Sequence, residues 1–531
     1  MQRRELLRHL SLTAAAVAWQ QLFAPAVRAQ ASTQHDWRET AEVFTLGVAS
    51  GEPRPTSVVL WTRLAPKPTQ PDGGMPAQSV PVQWEVATDA RFANVVRADV
   101  GLADPARAHS IHVDVSDLQP GCEYFYRFQA AGQTSPVGRT RTAPDPLEAT
   151  PRLRVALASC QHYEAGHFSV HRDIAASDVD LVLFVGDYIY ETELPGPLRV
   201  RQHSHVFPDD PANFTLSDYR LHHAAYRQDA DLRASHAAHP WLMVWDDHDV
   251  LNDYAGDSEP DHKLDAAQFV KLRAAAYQAY FEHLPISPSR APVGGRMLMH
   301  ERYEWGQLAE FWTVDTRQFR AAHVCKGWRG PSNGRMLFNC PEVLQPERSM
   351  LGQDQEFWLA DGLASSTRAW KLIVQSTQVS PSGLKSPMGR LLYGDGWDAF
   401  PAARERLMAA IAQPRVPDVV CLGGDVHRHV AANLRLNPAD PTSPIIASEI
   451  VTSSITSRGL SELLTQWMKA ANPDLLHARS DERGFVLLDI SPSQLCCEFR
   501  ATAHPVRADS RLHTQARYVI DRGVPGLRRA R

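Results

Sequence analysis

"LVLFVGDYIYE", residues 181–191, is the stretch on which the fold turns. From Leu181 to Val185 it is apolar without alternation, the mark of a strand buried on both faces, and such strands belong to parallel sheets covered by other layers. The run breaks at Gly186 and then presents Asp187 and, three residues on, Tyr190. The pattern recurs in "LRVALASC" (153–160), "WLMVWDDHD" (241–249), "LAEFWTVDTR" (308–317), "WKLIVQST" (370–377) and "DVVCLGGDVH" (418–427). Between these runs, "LDAAQFVKLRAAAYQAYFEHL" sets Phe269, Leu272, Ala276 and Tyr280 along one helical stripe, and "PAARERLMAAIAQ" does so with Leu407 and Ile411. A layered α/β domain is expected over residues 149–531.

Upstream the period changes to two. "SVVLWTRL", "VQWEVA", "IHVDVSDL" and "EYFYRFQA" alternate, with Val82, Trp84 and Val86 on one face and Tyr124, Tyr126 and Phe128 on another. The Pro-Gly turn in "LQPGCEYFYRF" and the even strand spacing predict a fibronectin-like β-sandwich over residues 32–148. The proline-rich "RTAPDPLEATPR" is the connector.

Residues 1–31, "MQRRELLRHLSLTAAAVAWQQLFAPAVRAQA", have paired arginines, a short apolar stretch and a small-residue end. They resemble a twin-arginine export signal, so the mature protein is expected to be periplasmic or secreted, exported already folded by the twin-arginine machinery. Leu10 to Trp19 is too short for a membrane span, and no later run reaches roughly 20 apolar residues, so no membrane anchor is expected. A formal net charge of -5 over 531 residues lacks the basic excess of nucleic-acid recognition. Seven cysteines leave at least one thiol outside a bridge. Cys325 and Cys340 flank a Gly- and Pro-bearing loop and are one candidate pair, although spacing alone leaves connectivity open.

The apolar runs end on ligand-type residues: Cys160, Asp187 with Tyr190, Asp246-Asp247-His248, Asp315, and Asp425 with His427. In open α/β sheets the ligand crevice lies off the carboxyl ends of the strands, so these residues should converge. Each alone has a structural reading: an Asp caps a turn, a Tyr packs, a Cys fills a core. Together they crowd carboxylates beside a thiol, a phenol and an imidazole, a combination that cations neutralise better than protons. The set implies a multi-metal centre, in which two ions about 3.5–4 Å apart hold a phosphate and activate water.

The segments "FTLGVASGEPRPTSVVLWTRL", "ASCQ", "GDYIYE", "YR" at 219–220, "PWLMVWDDHDVLND", "VDTRQFR", "LGQDQEFWL" and "GGDVH", in that order, cover nearly the whole mature chain. They resemble the PhoD-type alkaline phosphatases of the calcineurin-like, purple-acid-phosphatase-like metallophosphatases. The resemblance implies an α/β/β/α sandwich and an exported phosphoesterase acting on phosphate monoesters, diesters or both by in-line attack of a metal-bound hydroxide. It implies that Asp187 bridges two ions, that Cys160 and Tyr190 complete a ferric site, and that Asp247, Asp425 and His427 supply the rest. Asp247 and Asp425 stand where the wider superfamily has Asn and His, which favours calcium as the second ion. Which of Asp425 and His427 meets which ion stays open at this point. No His follows "WKLIVQST", where Gln375, Gln378, or calcium and water stand in.

His248, beside a ligand position and able to titrate near neutrality, is expected to hydrogen-bond the phosphoryl group or protonate the leaving oxygen, and Arg317 and Arg320 to clamp phosphoryl oxygens through their planar forks. For Arg320 an ion pair competes with that role. Asn252 and Asp253 are either calcium ligands or turn formers, and the histidines of "RQHSHVF" and "LHHAAYR" either line the entrance or lie in a solvated loop. Rival readings are a phospholipase D-like phosphodiesterase on the same scaffold and a non-catalytic surface-binding protein.

Overall fold

The computed structural model describes residues 42–530 apart from 261–262, 326–327, 330–334 and 387–388. The export signal expected over residues 1–31 lies outside the described residues.

Two sheets form the centre. The larger has ten strands, in the order Arg528–Arg529, His513–Asp521, Gln494–Ala503, Glu482–Ile490, Leu153–Ala158, Leu181–Val185, Pro240–Val244, Val48–Gly51, Val58–Arg63, Ser110–Val115. Its middle strands, Leu153–Ala158, Leu181–Val185 and Pro240–Val244, are parallel. The second sheet has seven strands, in the order Glu301–Trp305, Ala309–Thr313, Trp370–Val374, Val419–Gly423, Ile445–Val451, His429–Arg435, Leu475–Arg479. Here too the strands from Ala309–Thr313 to Ile445–Val451 run parallel. Every residue of the Leu181–Val185, Pro240–Val244, Ala309–Thr313, Trp370–Val374 and Val419–Gly423 strands is buried, which is what unalternating apolar runs require.

The alternation of side chains along these strands builds the layers. Leu372, Val374, Val420 and Leu422 join Val155, Leu157, Leu183 and Val185 in the core shared by both sheets. Ile373, Val419 and Cys421 point the other way, onto Leu359 and Leu363 of the helix Gln353–Ser365 and Leu407 and Met408 of the helix Pro401–Ile411. Ile174 and Leu232, from the helices Ser169–Ala176 and Ala230–Ala238, cover the larger sheet. The helix Ala266–His283 buries Phe269, Leu272, Ala276 and Tyr280, as its stripe predicts, and opens with a capping box between Asp265 and Gln268. The result is an α/β/β/α sandwich.

The amino-terminal strands divide between two sheets. Val80–Ala87, Val95–Ala103, Glu123–Ala130, Gln133–Thr134 and Gly138–Arg141 form a separate five-stranded sheet. Val48–Gly51, Val58–Arg63 and Ser110–Val115 instead extend the ten-stranded sheet, where Ser50 pairs with Pro240. One sheet of the β-rich amino-terminal region is therefore continuous with the sheet that carries the site. Cys325 and Cys340 are disulfide-bonded, while Cys122, Cys160, Cys421, Cys496 and Cys497 are free thiols. Among the described residues no helix is long and apolar enough to cross a membrane.

At the end of Leu181–Val185 the chain turns at Gly186, with φ of +96°, and a Cβ there would lie 2.4 Å from Cβ of Asp246. Neither the backbone angle nor the space admits a side chain. Gly186→Ala is expected to destabilise the protein by about 3 kcal/mol, read as a lowered denaturation midpoint. A midpoint equal to wild type would refute the close approach of these two loops.

Candidate metal centre

The parallel strands of both sheets finish at the same end of the sandwich, and the residues just past them meet there. Cys160, Asp187, Asp425 and His427 take left-handed backbone angles, with φ of 60°, 57°, 62° and 49°. Non-glycine residues reach that region only where the surrounding structure holds them. Here the sharp turn lets each strand stop and deliver its side chain inward.

Ligand atoms of Cys160, Asp187 and His427 lie within 4.8 Å of one another. Tyr190 joins them: its hydroxyl donates to Oδ2 of Asp187 at 2.7 Å and lies 3.0 Å from Nε2 of His427. Asp187 also belongs to a second such group with Asp246 and Asp247, and a third holds Asp247, Asp253 and Asp395. Asp425 borders the same cavity as Asp187, Asp247 and His427. Its carboxylate accepts from the hydroxyls of Thr377 at 2.5 Å and Tyr393 at 3.2 Å. The six residues expected as metal ligands are thus brought together.

Electrostatics make this an uncomfortable place without cations. Burial, and then the carboxylates of Asp247 and Asp246, push the Asp187 carboxyl well above its ordinary range. Burial and the Asp187 charge do the same to the Cys160 thiol and the Tyr190 hydroxyl. Oδ1 of Asp187 is buried with no hydrogen-bond partner among the described residues, as is Oδ2 of Asp246. A buried carboxylate oxygen left bare costs a few kcal/mol unless an ion or proton meets it. The donor set of thiol, carboxylate, phenol and imidazole fits a transition metal, and the neighbouring all-oxygen set fits a hard divalent ion.

His248 also borders the cavity. Its Nδ1 lies 2.7 Å from Oε2 of Glu191, whose other oxygen accepts from the backbone N–H of Asn252 at 2.8 Å. Burial works against the charged ring, but Glu191, Asp247 and Asp187 outweigh it and hold the imidazolium well above its usual pKa. With Nδ1 occupied, Nε2 is the nitrogen left for a ligand.

Several expectations are corrected. Arg317, expected to clamp phosphoryl oxygens, is not among the residues bordering the cavity. Its guanidinium is 1% exposed and committed to carboxylates: Nε to Asp246, Nη2 to Asp247 at 3.2 Å and Nη1 to Asp395 at 2.8 Å. Arg320 forms the competing ion pair, with Asp395 at 2.9 Å. Asp315 caps its own turn, accepting from the N–H groups of Arg317 and Gln318 and from the Trp245 indole. Oε1 of Gln375 accepts from the Thr377 N–H and the Trp397 indole, Oε1 of Gln378 accepts from Arg428, and neither residue borders the cavity, so neither replaces the missing His. None of the histidines of the two segments borders the cavity, and "RQHSHVF" is a loop in which Gln202, Ser204 and Val206 are exposed while His203 turns inward. His203 and His222 are buried and stacked at 3.9 Å, and Nε2 of His222 meets the Tyr190 carbonyl at 2.5 Å. Asn252 and Asp253 do border the cavity.

Four participants were not singled out from the sequence. Glu191 and Asp249 stood in quoted motifs, where their acidity beside known candidates was the available signal. Asp249 accepts from the N–H groups of Asp187, Tyr188, Ile189 and Asp246 at 2.9–3.3 Å. Tyr393 and Asp395 follow no apolar run and gave none.

Residues 155–499 match the PhoD-like phosphatase family and residues 29–144 match the PhoD-like phosphatase N-terminal domain. The chain is 40% identical over 491 residues to Alkaline phosphatase D of Bacillus subtilis (strain 168), covering 92% of this chain and 82% of that protein. A solved structure described as "Structure of PhoD" superposes with a TM-score of 0.86 at 38% identity, covering 94% of each chain. With the family match, the sequence identity and the superposition in agreement, the chain belongs to the PhoD-like phosphatase family.

Proposed function

We propose that this phosphoric ester hydrolase works at a two-ion centre bridged by Asp187, on phosphate monoesters, diesters or both. Cys160, Asp187, Tyr190 and His427 would hold a ferric ion. Asp187, Asp247 and Asp425, with oxygens of Asn252 and Asp253, would hold calcium. The observation that carries this reading is that Asp187, whose buried Oδ1 has no hydrogen-bond partner among the described residues, belongs both to a sulfur- and nitrogen-bearing group and to an all-oxygen group. When bound, the ions supply an activated water and neutralise charge on the phosphoryl oxygens.

The remaining work falls to side chains. His248, oriented by Glu191 through Nδ1, presents Nε2 as a hydrogen-bond donor to the phosphoryl group or leaving oxygen. Tyr393 and Thr377 hold Asp425 in place. Arg317 acts as a positioning residue, keeping Asp246 and Asp247 apart from each other's charge. We further propose export through the twin-arginine pathway to the periplasm or medium. The arginine-bearing leader supports this, as does the Cys325–Cys340 disulfide, a bond that persists in oxidising compartments.

Elemental analysis of purified protein beside hydrolysis of p-nitrophenyl phosphate and its bis ester tests the centre. Iron and calcium are expected, with activity lost on chelation and restored by both ions. Asp187→Asn should lose the metals and the rate; retention of both sinks the assignment. Tyr190→Phe should lose a visible phenolate-to-iron absorption, and an unchanged spectrum would remove Tyr190 from the ferric site. His248→Asn is expected to lower kcat by roughly 10²- to 10⁴-fold, and Glu191→Gln by a smaller factor with KM nearly unchanged. Equal KM and kcat in Glu191→Gln would show the pair to be idle. Changing Arg3 and Arg4 to Lys should retain the protein in the cytoplasm, and normal export by cell fractionation would refute the pathway.

A further inference from the structure

The cavity over the centre is two-sided. It has a volume of about 260 Å³, with Asp187, Asp247, His248, Asp425 and His427 on its floor. Its wall is apolar, built from Met336, Leu384, Leu391, Leu460, Leu464 and Met468. Leu464 and Met468, four residues apart, lie along one side of the helix Glu462–Ala471, and Leu460 comes just before its N-cap Ser461. Leu384 and Leu391 face each other in register across the hairpin of Leu384–Ser386 and Gly389–Tyr393.

The wall is fixed. Buried Thr465 hydrogen-bonds Ser480 at 2.7 Å, and Glu462 accepts from the Ser480 N–H at 2.9 Å, docking the helix on the body. At the other end Asn472 donates to the Gly383 carbonyl at 3.0 Å, tying the helix to the hairpin. The floor meets the wall at Tyr393, whose ring packs with Leu384 against the cluster containing Val426 and Met468 while its hydroxyl donates to Asp425. Past the cavity the apolar stripe continues on the helix as Leu463 and Trp467, which are 62% and 58% exposed.

The lining contains one guanidinium, Arg428, and its Nη2 donates to Gln378 at 2.7 Å. The wall itself carries no lysine or arginine among the described residues. A second phosphate on the substrate would find no counter-charge among these described wall residues, and a polyhydroxylated alcohol would find few hydrogen-bond partners. An apolar alcohol would instead shed water onto rigid hydrocarbon.

Resting on the phosphoesterase reading, we infer that this wall is the subsite for the alcohol part of the ester, and that it selects phosphate esters with alkyl or aryl alcohols over sugar phosphates and nucleoside polyphosphates. Methyl, butyl and hexyl phosphate test it, because their leaving alcohols differ in length and scarcely in acidity. With the metal-replete protein, kcat/KM should rise along the series, approaching about fourfold for each methylene that becomes fully buried. In Leu464→Asn and Leu391→Asn, one on each side of the wall, the hexyl-to-methyl ratio should fall to less than half its wild-type value. Because the ratio compares each variant with itself, partial loss of folded protein cancels.

A kcat/KM that is flat from methyl to hexyl in wild type overturns the subsite, as does a ratio preserved in both variants. If no ester of the series is hydrolysed, the bis ester of p-nitrophenol decides the phosphoesterase reading separately, and titration calorimetry with methyl- and hexylphosphonate decides the subsite. Tighter binding of the hexyl compound with a negative heat-capacity change supports it, and equal affinity overturns it.

Discussion

The site depends on a carboxylate that donates nothing to the cavity. Asp249 gathers the amides of Asp187, Tyr188 and Ile189 from one strand-end loop and of Asp246 from the next. Charge-assisted bonds to several backbone donors are among the stronger local interactions in a buried setting, and this one fuses two loops into a unit. With the loops locked, Asp187 and Asp247 cannot separate to relieve their repulsion. Arg317 and His248 balance the charge of this pocket only in part.

The "DDHD" run shows how finely neighbouring residues divide. Asp246 turns to Arg317, Asp247 turns to the cavity, His248 turns to Glu191, and Asp249 turns back to the amides. Arg317 stands among Asp246, Asp247 and Asp395 without reaching the substrate space. Its charge offsets the repulsion among these three acids and leaves Asp187 without an arginine partner among the described residues. Removing such a partner from a buried cluster generally costs more than the pair itself contributes, because the acids left behind remain buried.

The layers, the buried strands and the ligand-bearing strand ends could be read from the sequence because each is a local signal: an apolar run followed by a polar break. Glycines at those breaks, such as Gly186, marked the turns as well. What could not be read was which acid meets which base. Arg317 lies 78 residues from Asp395, and Glu191 lies 57 residues from His248. Such partnerships are set by how the loops cross after the sheets form, which no spacing rule encodes. The histidines of "RQHSHVF" and "LHHAAYR" were misleading for a related reason. Their polarity suggested solvent, but His203 and His222, kept neutral by burial, stack on one another and pack at a tilt on Tyr226 as aromatic core beneath Tyr190.

The ten-stranded sheet places Val48–Gly51 against Pro240–Val244 on one side of its centre and Glu482–Ile490 against Leu153–Ala158 on the other. A fragment beginning near residue 149 would present Pro240–Val244 as a bare edge of unpaired amides on an apolar strand, a template for aggregation. The amino-terminal region is therefore no detachable accessory. Both chain ends must be synthesised before the sheet can close, and contacts so distant in sequence make assembly slow and post-translational in character.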